Sequence, residues 1–135
     1  MRRTAALFLL CILLAPLTAQ AHCAAGPGER MAVADDYRAV LRFEPAAPAV
    51  GKPFRLYLAF CDPTGRPAAG RVTVSAEMPA HGHGMDYAPS VRAVGPGRYL
   101  AEGLLLHMPG LWRFAVDLHR PEGPPLRFTA DHAQR

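Results

Sequence analysis

Apolar and polar residues alternate along much of this chain, and glycine or proline interrupts the alternation at short intervals. The alternation is clearest over 54–61, 71–78 and 112–118. Successive side chains of an extended strand point to opposite faces, so each of these segments predicts a strand with one buried face. Further strands are predicted at 37–43, 100–106 and 126–129, with the first and last of these as the terminal strands.

Turn sequences separate the predicted strands. Examples are Asp62-Pro63-Thr64-Gly65, Gly95-Pro96-Gly97 and Gly123-Pro124-Pro125, which combine residues that favour tight turns. After the N-terminal region, the prolines leave no stretch with a helical pattern. Short strands at this spacing predict an all-β fold, an immunoglobulin-like antiparallel β-sandwich of about seven strands.

The N-terminus has the organisation of a secretory signal peptide. Arg2-Arg3 form a short basic region, an apolar run follows over 5–14, and Ala19-Gln20-Ala21 fits the small-residue cleavage motif. We therefore expect residues 1–21 to be removed and the mature protein to be exported, with a periplasmic location. The remainder divides into an N-terminal segment at 22–35, one domain at 36–130 and a tail at 131–135.

Cys23 raises the alternative of a lipoprotein, because it lies directly after the predicted cleavage site. The preceding Gln20-Ala21-His22 lacks the apolar and small residues of a lipidation motif. Cleavage after Ala21 would instead make His22 the first residue of the mature chain. No later apolar stretch approaches the ~20 residues of a transmembrane helix, so we expect no membrane span after the leader is removed.

The charge of the chain argues against a nucleic-acid partner. The formal net charge of +4 falls to about +2 when Arg2 and Arg3 leave with the leader. The remaining basic residues are scattered singly among the predicted strands. This distribution is typical of a solvated surface and differs from the clustered basic patch of a nucleic-acid-binding protein.

Two cysteines remain once Cys11 is removed with the leader. In an oxidising compartment, a pair such as Cys23 and Cys61 is most often a disulfide. We expect such a bridge to attach the N-terminal segment to the domain. Thiolate copper ligands and a redox pair are the alternatives.

Two short segments rich in glycine and proline concentrate soft metal ligands. Their histidines and methionines are Met78, His81, His83, Met85, His107 and Met108. Residues 81, 83 and 85 would project to one side of an extended backbone, while Gly82 and Gly84 allow that backbone to bend. Thioether sulfur favours Cu(I), imidazole binds either copper ion, and zinc sites seldom contain methionine. These residues therefore predict a copper site that prefers Cu(I).

The predicted strands suggest where this site lies. Met78 and Met108 each continue the alternation of inward-facing residues in the preceding predicted strand, and each is followed by a proline. The two segments would meet at one end of the sandwich if their strands finish near the same edge. Each residue also has a simpler interpretation: Met78 and Met108 as core side chains, and His107 as a surface residue. Asp86 is a candidate to orient an imidazole, and His119 and His132 are expected to be solvated.

Four short motifs occur in order along the chain: Met78-Pro79, His83-Gly84, Gly97-Arg98-Tyr99 and Met108-Pro109-Gly110-x-Trp112. Together they resemble the pattern of the YtkA-like family, small exported β-sandwich domains associated with copper handling and related in style to FixH-like and CopC-like proteins. The resemblance covers roughly residues 45–120. It implies a periplasmic or cell-surface copper-binding module, such as a copper chaperone, in some members linked to the maturation of the copper centres of respiratory oxidases. The positions matched to the family's metal residues are Met78, His83 and Met108.

Other functions stay open at this level. We expect a copper-binding protein for copper delivery or homeostasis, with a copper-receiving membrane or periplasmic protein as the candidate partner, and no enzyme. A mature N-terminal His22 resembles the copper chelate of lytic polysaccharide monooxygenases, but nothing else in the chain resembles their substrate face. A metal-free interaction domain, with the His and Met residues in a partner-binding loop, is the third possibility. A serine hydrolase is poorly supported, because Ser75 and Ser90 lack nucleophile-elbow glycines.

Overall fold

The computed structural model describes residues 22–135, which form an all-β protein. The nine strands are β1 (Arg30–Ala34), β2 (Tyr37–Glu44), β3 (Phe54–Cys61), β4 (Arg71–Met78), β5 (His83–Gly84), β6 (Ser90–Gly95), β7 (Arg98–Leu104), β8 (Gly110–His119) and β9 (Leu126–Gln134). The leader and cleavage site predicted at 1–21 lie outside the described residues. Over 22–135, no helix has the length and apolar character needed to cross a bilayer.

The strands form two antiparallel sheets. The first sheet has the order β1-β2-β3-β7-β6, and the second has the order β5-β4-β8-β9. Burial alternates residue by residue along β4 and through most of β8, so each strand presents one face to the other sheet. The predicted all-β, antiparallel β-sandwich is therefore confirmed, whereas its immunoglobulin-like topology stays a prediction.

Aromatic rings from both sheets fill the space between them. Phe43 of the first sheet meets Phe114 of the second with ring centroids 5.2 Å apart, and Phe60 meets Phe128 at 5.4 Å. Trp112 is completely buried in the same core. Edge-to-face and tilted contacts of this kind add to the free energy gained from burying apolar area.

The alternation of apolar and polar residues does not predict three of the strands. Strand β1 exposes Met31 and Val33, with 46% and 62% of their surface accessible, so its apolar residues do not predict a buried face. Strand β5 has only two residues, and every position of β6 is exposed or half-buried. The expected count of about seven strands therefore compares with nine in the structure, because these three edge strands carry little of the hydrophobic pattern.

The sequence-based prediction also left out strand residues at both ends of the domain. Strand β1 lies within the segment predicted as N-terminal extension, and β9 continues to Gln134 through most of the predicted tail. His132, which was expected to be solvated, is only 6% exposed. The prediction for His132 was wrong because polar residues at the end of β9 keep the inward position of Leu126 and Phe128.

A disulfide joins Cys23 to Cys61, across a sequence separation of 38 residues. The two cysteines pack with Val40 and Ala59 in a small apolar cluster separate from the main core. Cys61 is the last residue of β3, so the bridge fixes the N-terminal segment to the first sheet.

Candidate metal site

The two segments rich in His and Met meet at one end of the sandwich. Strand β4 ends at Met78 and pairs with β8 in an antiparallel register that puts Glu77 opposite Arg113. The end of β4 therefore lies beside the beginning of β8. The loop 105–109 leads directly into that beginning, so it approaches the turn that follows β4.

A tight turn returns the chain from β4 to β5. The backbone amides of His81 and Gly82 both donate to the carbonyl oxygen of Met78, at 3.1 and 3.0 Å. His83 then lies directly opposite Met78. A side chain at Gly84 would place its Cβ 2.7 Å from the carbonyl oxygen of Ala76, so glycine is required for β5 to approach β4 this closely.

The three loop imidazoles form a row on the surface. The ring centroids of His81 and His83 are 5.7 Å apart, and those of His83 and His107 are 5.3 Å apart. All three residues are exposed. His83 is thus the central member of the row and brings the 81–85 segment into contact with the 105–109 loop.

The indole of Trp112 lies beneath this row. Its ring centroid is 5.2 Å from His107 and 6.4 Å from His83, and both contacts are edge-to-face. Its Nε1–H donates to the carbonyl oxygen of Met108 at 3.1 Å. From the sequence, Trp112 was expected to be an inward strand residue and part of a family-like motif, and no role at the metal site was predicted for it. Its inward position, four residues after Met108, was the available signal for a role at the site.

The candidate thioethers lie deeper than the imidazoles. Met78 is only 1% exposed and belongs to the main core, while Met85 and Met108 are partly buried against that core. A Cβ at Gly110 would lie 2.6 Å from Cε of Met78. The burial of Met78 favours its simpler interpretation as a core side chain, whereas Met85 and Met108 lie at the boundary between core and surface.

The spacing of the central imidazole pair suits a shared ion. Two imidazoles that bind one ion through bonds of about 2 Å have ring centroids roughly 5 Å apart in a tetrahedral arrangement. His83 and His107 are 5.3 Å apart. Across residues 22–135, no three side chains of His, Cys, Asp or Glu converge as a metal-holding group.

The loop after β5 is attached to the loop before β8. The hydroxyl of Tyr87 donates to the carbonyl oxygen of Leu105 at 3.3 Å. Desolvation by burial raises the pKa of Tyr87, and the negative charge of Asp86 raises it further. Among the hydrogen bonds of residues 22–135, none is donated by an imidazole to the carboxylate of Asp86, so its proposed orienting role has no contact to support it.

His22 lies far from the imidazole row. Strand β3 has Phe54 opposite Leu104, near the site, and Cys61 at its other end. At about 3.3 Å per residue, the strand separates its two ends by roughly 20 Å. His22 neighbours the disulfide at the Cys61 end and lines a groove with Arg42, Tyr57 and Arg98. The described fold therefore brings neither His22 nor the cysteine pair to the imidazole row.

Comparison of the chain with protein-family models, curated proteins and solved structures finds no match. The resemblance to the YtkA-like family stays a prediction that rests on the four motifs quoted above. Those motifs are spread over both sheets: Gly97-Arg98-Tyr99 begins β7 at the end opposite the imidazoles, and the other three surround the site.

Proposed function

We propose that this protein is an exported copper-binding protein that holds Cu(I) at the His83–His107 pair with thioether support from Met85 or Met108. The observation that carries the proposal is the 5.3 Å separation of the His83 and His107 rings, which belong to segments distant in sequence. Two imidazoles beside thioethers are a ligand set that suits copper better than zinc, calcium or magnesium.

The exposure of the imidazoles supports delivery of copper. His81, His83 and His107 all face solvent, so a bound ion would be open to ligands from a second protein. Exchange of one ligand at a time can then transfer the ion without release into solution. This chemistry fits a chaperone that passes copper to a membrane or periplasmic recipient, as the YtkA-like resemblance implies, and it requires no catalytic step.

Competition with a chromogenic Cu(I) chelator tests the proposal. The double variant His83→Ala/Met108→Leu should bind Cu(I) more than about a hundredfold more weakly than the wild type, because loss of outer partners alone lowers metal affinity by about 10–100-fold. The wild type should bind Cu(I) far more tightly than Zn(II).

A matched control replaces one histidine and one methionine that lie outside the proposed site. His119 and Met31 lie outside the cluster, on β8 and β1. The variant His119→Ala/Met31→Leu should keep wild-type affinity. If it loses Cu(I) as strongly as the site variant, or if the site variant binds normally, copper binds elsewhere. Wild-type protein that binds no copper would favour the metal-free interaction domain.

A further inference from the structure

We propose that Trp112 is a positioning residue of the copper site, which holds the two ligand-bearing segments in register. This inference rests on the proposed function, since it concerns the same site. Trp112 carries no candidate ligand atom. Its role is to fix where His107, Met108 and His83 stand relative to one another.

The hydrogen bond of the indole restrains the 105–109 loop. The Nε1–H of Trp112 donates to the carbonyl oxygen of Met108 at 3.1 Å. A donor buried this completely is costly to leave without a partner. The loop is therefore held where its Met108 carbonyl meets the indole, and this restraint also places the imidazole of the adjacent His107.

The same ring contacts both halves of the site. The edge-to-face contacts at 5.2 Å to His107 and 6.4 Å to His83 come from one indole, although the two histidines follow different strands. A ligand pair is held more precisely by one shared rigid neighbour than by two independent loops.

The position of the indole is itself fixed by the fold. Trp112 has no exposed surface, and its strand β8 is paired on both sides, with β4 and β9. The indole that holds the loops at the site is therefore anchored in a central strand of the second sheet.

Two replacements of Trp112 test the inference. Trp112→Phe removes the N–H donor and part of the ring. Incorporation of β-(3-benzothienyl)alanine removes the N–H alone, and it labels one position because the chain has a single tryptophan. Each should lower Cu(I) affinity in chelator competition by about tenfold or more, as expected for loss of a group that orients metal ligands. Affinity is measured under conditions in which circular dichroism shows the variant to be folded.

The matched control is Phe114→Leu. Phe114 is also fully buried, on the same face of β8. Its ring packs against Phe43, Phe54 and His132. Its loss perturbs the core but not the Met108 hydrogen bond, so wild-type Cu(I) affinity is expected. Equal losses in Phe114→Leu and Trp112→Phe would overturn the positioning role, as would wild-type affinity in the benzothienyl protein.

The emission of Trp112 gives an independent readout. Copper at the His83–His107 pair would lie beside the only indole of the chain, so emission should change in proportion to bound copper and reach its end point at one equivalent. A wild type that fails to bind copper rejects the proposed function itself. A wild type that binds copper with no change in emission overturns the inference together with the His83–His107 placement, but leaves copper binding by the protein intact.

Discussion

The imidazole of His132 is buried among aromatic rings near the end of β9. It stacks on Phe43 with ring centroids 4.7 Å apart, and Phe114 lies edge-on at 6.4 Å. Desolvation by burial lowers the pKa of His132, and the nearby guanidinium of Arg30 lowers it further, against an opposing interaction with Gln134. The folded protein therefore favours the neutral imidazole.

This shift makes stability depend on pH. Because the pKa of His132 is lower in the folded state than the unfolded value of about 6.5, the unfolded chain binds more protons below that pH. The stabilising contribution is complete above about pH 6.5 and is lost as the pH falls below it. We predict that His132→Phe reduces the loss of stability between about pH 7.5 and pH 5, measured by denaturant unfolding.

Phenylalanine is the informative replacement at this position because it preserves the stacking on Phe43 and removes the titration. The comparison uses the slope of unfolding free energy against pH, so a uniform change in stability does not affect it. An unchanged slope in the variant would show that other groups cause the pH dependence.

Among the elements, the N-terminal segment depends most on a covalent attachment. Its Cys23 is bonded to the last residue of β3, and the bridge is 5% exposed at Cys23 and completely buried at Cys61. A bridge of this span restricts the unfolded chain more than the folded one in the chain-entropy description. The disulfide should therefore affect the stability of the protein and leave its affinity for copper unchanged.

We predict that Cys23→Ala/Cys61→Ala lowers the free energy of unfolding by about 4 kcal/mol and leaves Cu(I) affinity unchanged. Chemical denaturation and chelator competition measure the two quantities. Intact mass after thiol alkylation establishes whether the wild-type protein carries the bond. Two free thiols in oxidised, metal-free protein would remove the stabilising role and return the cysteines to consideration as copper ligands.

Over the whole molecule, the two copper sites suggested by the sequence occupy different regions. The imidazole row lies where β4 ends and β8 begins, whereas His22 lies beside the disulfide at the far end of β3. His22 lines a groove with Tyr57 and Arg98, whereas the imidazole row lies beyond the Phe54 end of β3, so neither site supplies a ligand to an ion bound at the other.

This separation predicts that His22→Ala leaves Cu(I) affinity unchanged in protein that begins at residue 22. The control is the His83→Ala/Met108→Leu variant, measured with the same chelator in the same series. Loss of Cu(I) in His22→Ala with normal binding in the control variant would reverse the assignment and locate the site at the N-terminus.

The buried strands were predictable because each carries its own pattern. Strands β3, β4 and β8 alternate buried residues with exposed or half-buried ones over seven or more positions, and this local periodicity is fixed by the geometry of an extended backbone. Strands β1, β5 and β6 were missed because they lie at sheet edges and bury few side chains. Strand β9 is also an edge strand, but it buries alternate residues and was predicted at its start.

The sequence by itself determined the fold class and the residue types available for a metal, since periodicity and ligand chemistry are local properties. It also identified the short spacing of His81 and His83. Only the tertiary structure decided that His107 lies beside His83, that Met78 is part of the core, and that Trp112 contacts both imidazoles. These outcomes depend on the pairing of β4 with β8 and on the stacking of the two sheets, which join residues distant in the chain.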